Sequence, residues 1–226
     1  MNIEKTGMAD RKVVVLAAHP DDADLAVGGT IAMLSELGTE VTVINFTTSE
    51  YTTEGVQNRR VAAEKASQIL GYRLLWIEDG RYNQVEEIAE YHVVSIVDKI
   101  IGELCPDVVI THWIGDSHTD HVRLARAVIA SSRRWEASLY AFGPTEHRTP
   151  CFTQFEPNVF VDITGYEERK LAAINAFNYS GQGFRHLQLD MVRTTFTYNG
   201  GLIGRTSAEA LLLVRQRGLG ITFIGD

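Results

Sequence analysis

Short β-branched apolar runs recur along the chain at intervals long enough for a helix, and this alternation constrains the fold more than any other feature. The first, Lys12-Val-Val-Val-Leu-Ala-Ala18, has charge before it and His19-Pro20 after it. A run of that length and composition fits a strand buried on both faces, as in a parallel sheet. Comparable runs occupy residues 40–46, 73–78, 107–112, 138–142 and 158–163. Between them, residues 25–37, 56–70, 84–104 and 120–132 carry apolar positions at helical spacing, and Gly38 and Gly71 stand where helix-ending glycines are expected. The alternation predicts a Rossmann-like α/β fold, a mostly parallel doubly wound sheet with helices on both faces.

The chain has 226 residues, which fits one elaborated domain at the usual ~100–200 residues each. No repeat, low-complexity stretch or Pro-rich linker divides it. The core is expected over 11–164, with 165–226 as a C-terminal extension folded onto it. Within that extension the pattern predicts a helix at 167–178, loops at 180–183 and 199–204, and a short helix near 207–215.

Charge excludes one class of partner. Lys and Arg total 21 against 29 for Asp and Glu, a net charge of −8, whereas binding a phosphate backbone requires a basic surface. No nucleic acid is expected as a partner. The longest wholly apolar run, Val13 to Ala18, is far short of the ~18–20 residues that span a bilayer. The polar first ten residues lack the basic-then-apolar order of a secretory signal, and the cysteines, Cys105 and Cys151, form no short motif. A cytoplasmic protein with both cysteines as packing residues is expected.

In a doubly wound sheet of strand order 3-2-1-4-5, ligands bind at the carboxyl ends of the strands, between strands one and four, where the order reverses. The two loops that meet there read His19-Pro20-Asp21-Asp22-Ala23-Asp24 and Asp116-Ser117-His118-Thr119-Asp120-His121. With His112 at the end of its strand, four of the seven histidines fall at this edge. A dinucleotide site would need glycines in the first turn, and three acids there would repel phosphate. Each acid taken alone would serve as a helix cap, and a single histidine as a structural residue. Together, in loops the topology brings to one place, they indicate a divalent cation. Imidazole with one carboxylate suits Zn²⁺ or Fe²⁺, and three protein ligands leave a position for water. Asp21 and Asp22 cannot both point the same way, so one would bind metal while the other faces the water. His118 and His121 share a helix face, and either could be a ligand.

Ala18-His19-Pro20-Asp21-Asp22 with Gly28-Gly29-Thr30, and His118-Thr119-Asp120-His121, resemble the two motifs of the PIG-L/LmbE-like N-deacetylases. Arg59 ahead of Ile69-Leu70-Gly71, Asp79-Gly80, and Val161-Asp162-Ile163-Thr164 leading to Lys170 extend the resemblance over most of the chain. Ser180-Gly181-Gln182 and Ala208-Glu209-Ala210-Leu211 look like the branch that deacetylates a glucosaminyl-malate. The resemblance implies a zinc-dependent hydrolase, with Fe²⁺ or another divalent metal as the alternative ion, acting on an N-acylated amino sugar or glycoside. It makes His19, Asp22 and His121 the ligands and Asp21 the general base. His118 would stabilise the oxyanion or protonate the departing amine, with Asp120 in support. Arg59 and Asp79 are expected on loops at the same sheet edge, holding substrate. The family usually has Glu where this chain has Ala23. Homotrimers or hexamers occur in the family, and the apolar stretch at 210–214 would serve an interface or the core.

Two rival readings share the ligand set. A 2-His-1-carboxylate Fe²⁺ oxygenase needs no acid such as Asp21 beside its metal, and a non-catalytic metal or small-molecule binding module would bind without releasing amine.

Overall fold

The computed structural model describes residues 10–145, 150–178 and 189–216. The elements are β1 (Lys12–Ala17), α1 (Asp22–Glu36), β2 (Glu40–Asn45), α2 (Thr53–Leu70), β3 (Arg73–Trp76), α3 (Glu90–Leu104), β4 (Val108–His112), α4 (Thr119–Ser132), β5 (Ser138–Phe142), β6 (Val159–Asp162), α5 (Glu167–Asn175), α6 (Leu189–Leu202) and β7 (Ala208–Arg215). Seven strands form one sheet in the order β3-β2-β1-β4-β5-β7-β6. The first five are parallel, in the predicted order, and β7 runs antiparallel to both of its neighbours.

Both sheet faces are covered, which explains why the strands read as continuous apolar runs. Along β1 the side chains alternate between two cores: Val13, Val15 and Ala17 pack with residues of α1, α2 and α5. Val14, Leu16 and Ala18 pack with residues of α3 and α4 on the opposite face. Gly38 and Gly71 both adopt positive φ, +87° and +84°, and Gly71 closes α2 in the left-handed conformation.

The C-terminal segment departs from expectation. Ala208–Arg215 form a strand where a short helix was expected near 207–215, and β7 enters the sheet between β5 and β6. Residues 199–202 belong to α6, where glycines had suggested a loop. Gly200 is required there by close approach: a Cβ would lie 2.5 Å from the backbone nitrogen of Ser207. Nearer the N-terminus, the helix expected from residue 84 begins at Glu90, preceded by a 3-10 turn at Val85–Glu87. The strand expected to reach residue 78 stops at Trp76 and passes into another 3-10 turn. Cys105 is exposed and Cys151 half-buried, so neither is a core packing residue. Residues 180–183, including Ser180-Gly181-Gln182, lie outside the described residues. Among the described residues no helix is long and apolar enough to cross a membrane.

Candidate metal centre

Strands β1 and β4 are adjacent, with Val13, Val14 and Val15 in register with Val108, Val109 and Ile110. The loops leaving their carboxyl ends therefore meet, as the sequence predicts. His19 and Asp22 come from the first loop and the start of α1, His118 and His121 from the start of α4. His19, Asp22 and His121 are buried, and His118 is exposed.

Three of these residues converge atom on atom. His19 Nδ1 lies 3.2 Å from Asp22 Oδ2 and 3.2 Å from His121 Nε2, and His121 Nε2 lies 3.4 Å from Asp22 Oδ1. Ligands ~2.0–2.1 Å from a tetrahedral ion stand about 3.3–3.4 Å apart. If the other nitrogen of each ring donates to its carboxylate, Asp120 for His19 and Asp116 for His121, the two facing nitrogens both present lone pairs, which a cation or a shared proton between them would reconcile. The donor set and its spacing fit a divalent ion such as Zn²⁺ or Fe²⁺. His118 offers another ring to His19 and His121, their ligand atoms all within 4.8 Å of one another.

Each histidine has a carboxylate behind it. His19 Nε2 contacts Asp120 Oδ2 at 3.1 Å, and His121 Nδ1 contacts Asp116 Oδ2 at 2.8 Å. Such contacts fix the ring orientation and the tautomer that presents the other nitrogen. Asp22 is itself held, its Oδ2 accepting the His19 backbone N–H at 2.8 Å and its Oδ1 the Thr145 hydroxyl at 3.1 Å. Asp120 Oδ1 accepts the backbone N–H of Glu86 at 3.2 Å. Sequence reasoning gave no role to Asp116, although its hexapeptide stood out.

His112, counted at this edge from the sequence, had no role assigned to it there. It stacks on His121, ring centroids 3.9 Å apart, and its Nε2 accepts the Ala18 backbone N–H at 3.0 Å. That bond occupies the nitrogen that sits 3.4 Å from Asp22 Oδ2. His112 is thus a wall of the site, and its place at the last residue of β4 was the available signal.

Electrostatics follow from burial and pairing. Burial drives the imidazoles of His19 and His121 toward their neutral forms, but Asp22 with Asp120 or Asp116 outweighs it, holding His19 at about 9 and His121 at about 10. Asp22, though burial favours its neutral form, is held well below its usual value by His121, His112 and His19. Burial and the neighbouring His121 lower His112 to about 4. Burial, His121 and His19 also lower His118. Neutral His118 accepts the Asp120 N–H through Nδ1 at 3.3 Å, so its proton resides on Nε2.

Asp21 occupies the N-cap position of α1 but makes no side-chain cap bond. Its Oδ2 instead meets Arg59 at 3.1 Å. Arg59 lies within α2, only 4% exposed, rather than on a loop, and also faces Glu50 at 3.7 Å. Asp79 is not brought to the cluster: its side chain is 96% exposed and pairs with Arg60. Ala23 is fully buried in the core, and the next acid, Asp24, accepts the Tyr72 hydroxyl at 3.2 Å.

Residues 14–132 match the family model described as PIG-L, GlcNAc-PI de-N-acetylase. The diacetylchitobiose deacetylase of Thermococcus kodakarensis is 26% identical, the alignment covering 90% of this chain and 83% of that protein. The structure resembles the N,N'-diacetylchitobiose deacetylase from Pyrococcus horikoshii, with a TM-score of 0.72 at 24% identity over 90% of this chain and 84% of the other. It also resembles GalB, the 4-carboxy-2-hydroxymuconate hydratase of Pseudomonas putida, with a TM-score of 0.73 at 21% identity over 94% and 99%. Both structural likenesses show the fold.

Proposed function

The chain belongs to the PIG-L family of GlcNAc-PI de-N-acetylases, and from that premise we propose that it hydrolyses the N-acyl group, acetyl above all, of an amino sugar or its glycoside in a metal-dependent reaction. The observation that carries this reading is the convergence of His19 Nδ1, the Asp22 carboxylate and His121 Nε2 at 3.2–3.4 Å, each histidine backed by a carboxylate. Similarity to deacetylases of acetylated sugars supports the substrate class.

His19, Asp22 and His121 would hold the ion, Zn²⁺ or Fe²⁺. When bound, it would supply Lewis-acid polarisation of the acyl carbonyl and a lowered pKa for water. Asp21, held by Arg59 and left out of helix capping, is the general base that takes the proton from the attacking water. Neutral His118 would donate its Nε2–H as a hydrogen bond to the carbonyl oxygen as negative charge develops there, and Asp21 would return the proton taken from water to the departing amine. Asp120 and Asp116 hold the rings of His19 and His121. Arg59 acts on Asp21 rather than as a loop contact to substrate. The reaction consumes one water and yields one carboxylate and one protonated amine.

The test is amine release from a panel of N-acetylated amino sugars, supplied with Zn²⁺ or Fe²⁺, by the native chain and by Asp21→Asn. The variant keeps shape and hydrogen bonding without basicity, so metal content should persist while turnover falls ~10²–10⁴-fold. Near-normal turnover in Asp21→Asn would eliminate Asp21 as base. Absence of amine release from every compound by the metal-loaded native chain would overturn the deacetylase reading. It would return the oxygenase and the binding module to consideration.

A further inference from the structure

A cavity of about 500 Å³ adjoins the metal centre, bounded by the first turns of α1, the end of β5, β6, β7 and α6. Its walls include Phe142, Phe155, Phe160, Phe196, Tyr198 and Leu202. Two of its lining residues also touch the cluster. The Phe142 ring meets His112 edge-on with centroids 4.6 Å apart, and the Thr145 hydroxyl bonds Asp22 at 3.1 Å. The charged members of the described lining, Lys170 and Glu209, neutralise each other in a buried pair. The cavity therefore offers apolar contact without a net charge to attract an ionic group.

Its mouth carries a second sign. Tyr198 and Leu202 of α6 leave large apolar surfaces in water, 67% and 55% exposed, while Phe196 on the same helix is buried. Hydrolysing an acetyl group requires no such space, and ~300–1,000 Å³ is the size of pockets that enclose a drug-sized ligand. We propose that this cavity is a substrate subsite for an apolar substituent, an alkyl or aryl group several carbons long, on the N-acylated amino sugar. The ligand would cover Tyr198 and Leu202 while the amide is held at the metal centre. This deepens, and rests on, the deacetylase reading of the adjoining site.

The substituent could be the acyl chain or the aglycone, and two arms separate them. The ratio of kcat/KM to that for N-acetylglucosamine is measured for N-hexanoylglucosamine in one arm and hexyl N-acetylglucosaminide in the other. Partial burial of a hexyl chain should raise that ratio about ten- to a hundredfold in one arm, which identifies the substituent. In Leu202→Ser and Tyr198→Ser, both at exposed positions, the ratio should fall to within about threefold of unity. In parallel, calorimetry with hexyl glucosaminide and with N-hexylglucosamine, neither of which carries an acyl group, should register binding of the one whose chain enters the cavity, and both variants should weaken it. A ratio near unity in both arms without calorimetric binding overturns the proposal. So does a gain that both variants retain, or a loss of oligomer mass in the variants with the ratio unmoved, which would assign the mouth to a second copy of the chain. Should no compound release amine, the deacetylase reading fails by itself and calorimetry alone decides the cavity: heat that the variants lose supports it, and no heat overturns it.

Discussion

At the scale of single residues, neighbours only a few positions apart differ in what they hold. His121 and His118 both start α4, yet His121 is buried against Asp22 and Asp116 whereas His118 is exposed and engaged through Nδ1 by the Asp120 amide. His19→Ala and His121→Ala should each lose most bound metal, by mass spectrometry of dialysed protein, because a three-ligand site deprived of one member holds its ion poorly. His118→Ala should keep its metal and lose ~10²–10³ in turnover, the effect of a removed oxyanion donor. A metal-free His118→Ala protein would make His118 a ligand. Asp24 supports a separate prediction. Burial, then the nearby Asp21, raises its pKa well above 3.8, so between those values the native state binds a proton that the unfolded chain has released. Stability from this group is complete below ~3.9 and is lost as pH rises through the native value. Asp24→Asn, still able to accept from Tyr72, should therefore gain stability relative to the parent as pH rises. Paired urea titrations in chelator between pH 4 and 8 measure this, and a difference that stays flat would mean that Asp24 is ionised throughout. The cluster was legible in the sequence because its acids and histidines occupy two short loops whose meeting follows from topology. The stacking of His112 on His121, the bond of Asp116 to His121 and the Arg59–Asp21 pair were not, since they depend on which way side chains turn inside the fold.

Among the elements, α1 shows how distant sequence repairs a local fault. Val27 leaves helical geometry at φ −132°, ψ 21°, which opens the bond that the Gly29 amide would make to the Leu25 carbonyl. Lys170 from α5 donates to that carbonyl at 2.7 Å, and Glu209 from β7 accepts the Gly29 and Thr30 amides at 2.8 and 2.7 Å. Lys170 and Glu209 then pair with each other, both side chains 2% exposed. A charged pair thus occupies the gap in a helix whose first turn carries Asp22. Gly29 contributes by lacking a side chain, because a Cβ there would come within 2.7 Å of Ile163. Glu209→Ala should cost about 3–5 kcal/mol by denaturant unfolding, since it strands a buried ammonium and two buried amides. A loss under 1 kcal/mol would show that water replaces the carboxylate. The helix expected over this part of the chain has a physical reason. Residues 207–215 hold two Ala, three Leu and one Glu, good helix formers, but the open edge of β5 and the reach of Glu209 to α1 override that weak preference.

Over the whole molecule, the strands that propensity identified least well complete the sheet. Residues 12–142 supply the five parallel strands in the predicted order, and the candidate metal centre lies wholly within that stretch but for the Thr145 bond to Asp22. Strand β6 does not touch β5; it joins the sheet only through β7, with Val159 to Asp162 paired to Leu211 to Ala208. The C-terminal segment, expected as an extension folded onto the core, therefore supplies an internal strand of the sheet. Its residues Leu171, Ile174, Val192, Phe196 and Leu211 enter the same core as Val13 and Val15. Strand β1 sends alternate side chains into the two cores, so neither face should melt alone. Full-length protein is expected to unfold in one transition, with circular dichroism and tryptophan fluorescence coincident. Trp76 reports the first core and Trp135 the second. A chain ending at residue 164 would leave β6 unpaired and uncover apolar side chains along α1, α2 and β5, so it should bind a hydrophobic dye and show no cooperative transition. A truncated protein that melts cooperatively within a few degrees of the full chain would establish residues 11–164 as an autonomous core and remove β7 from the folding unit.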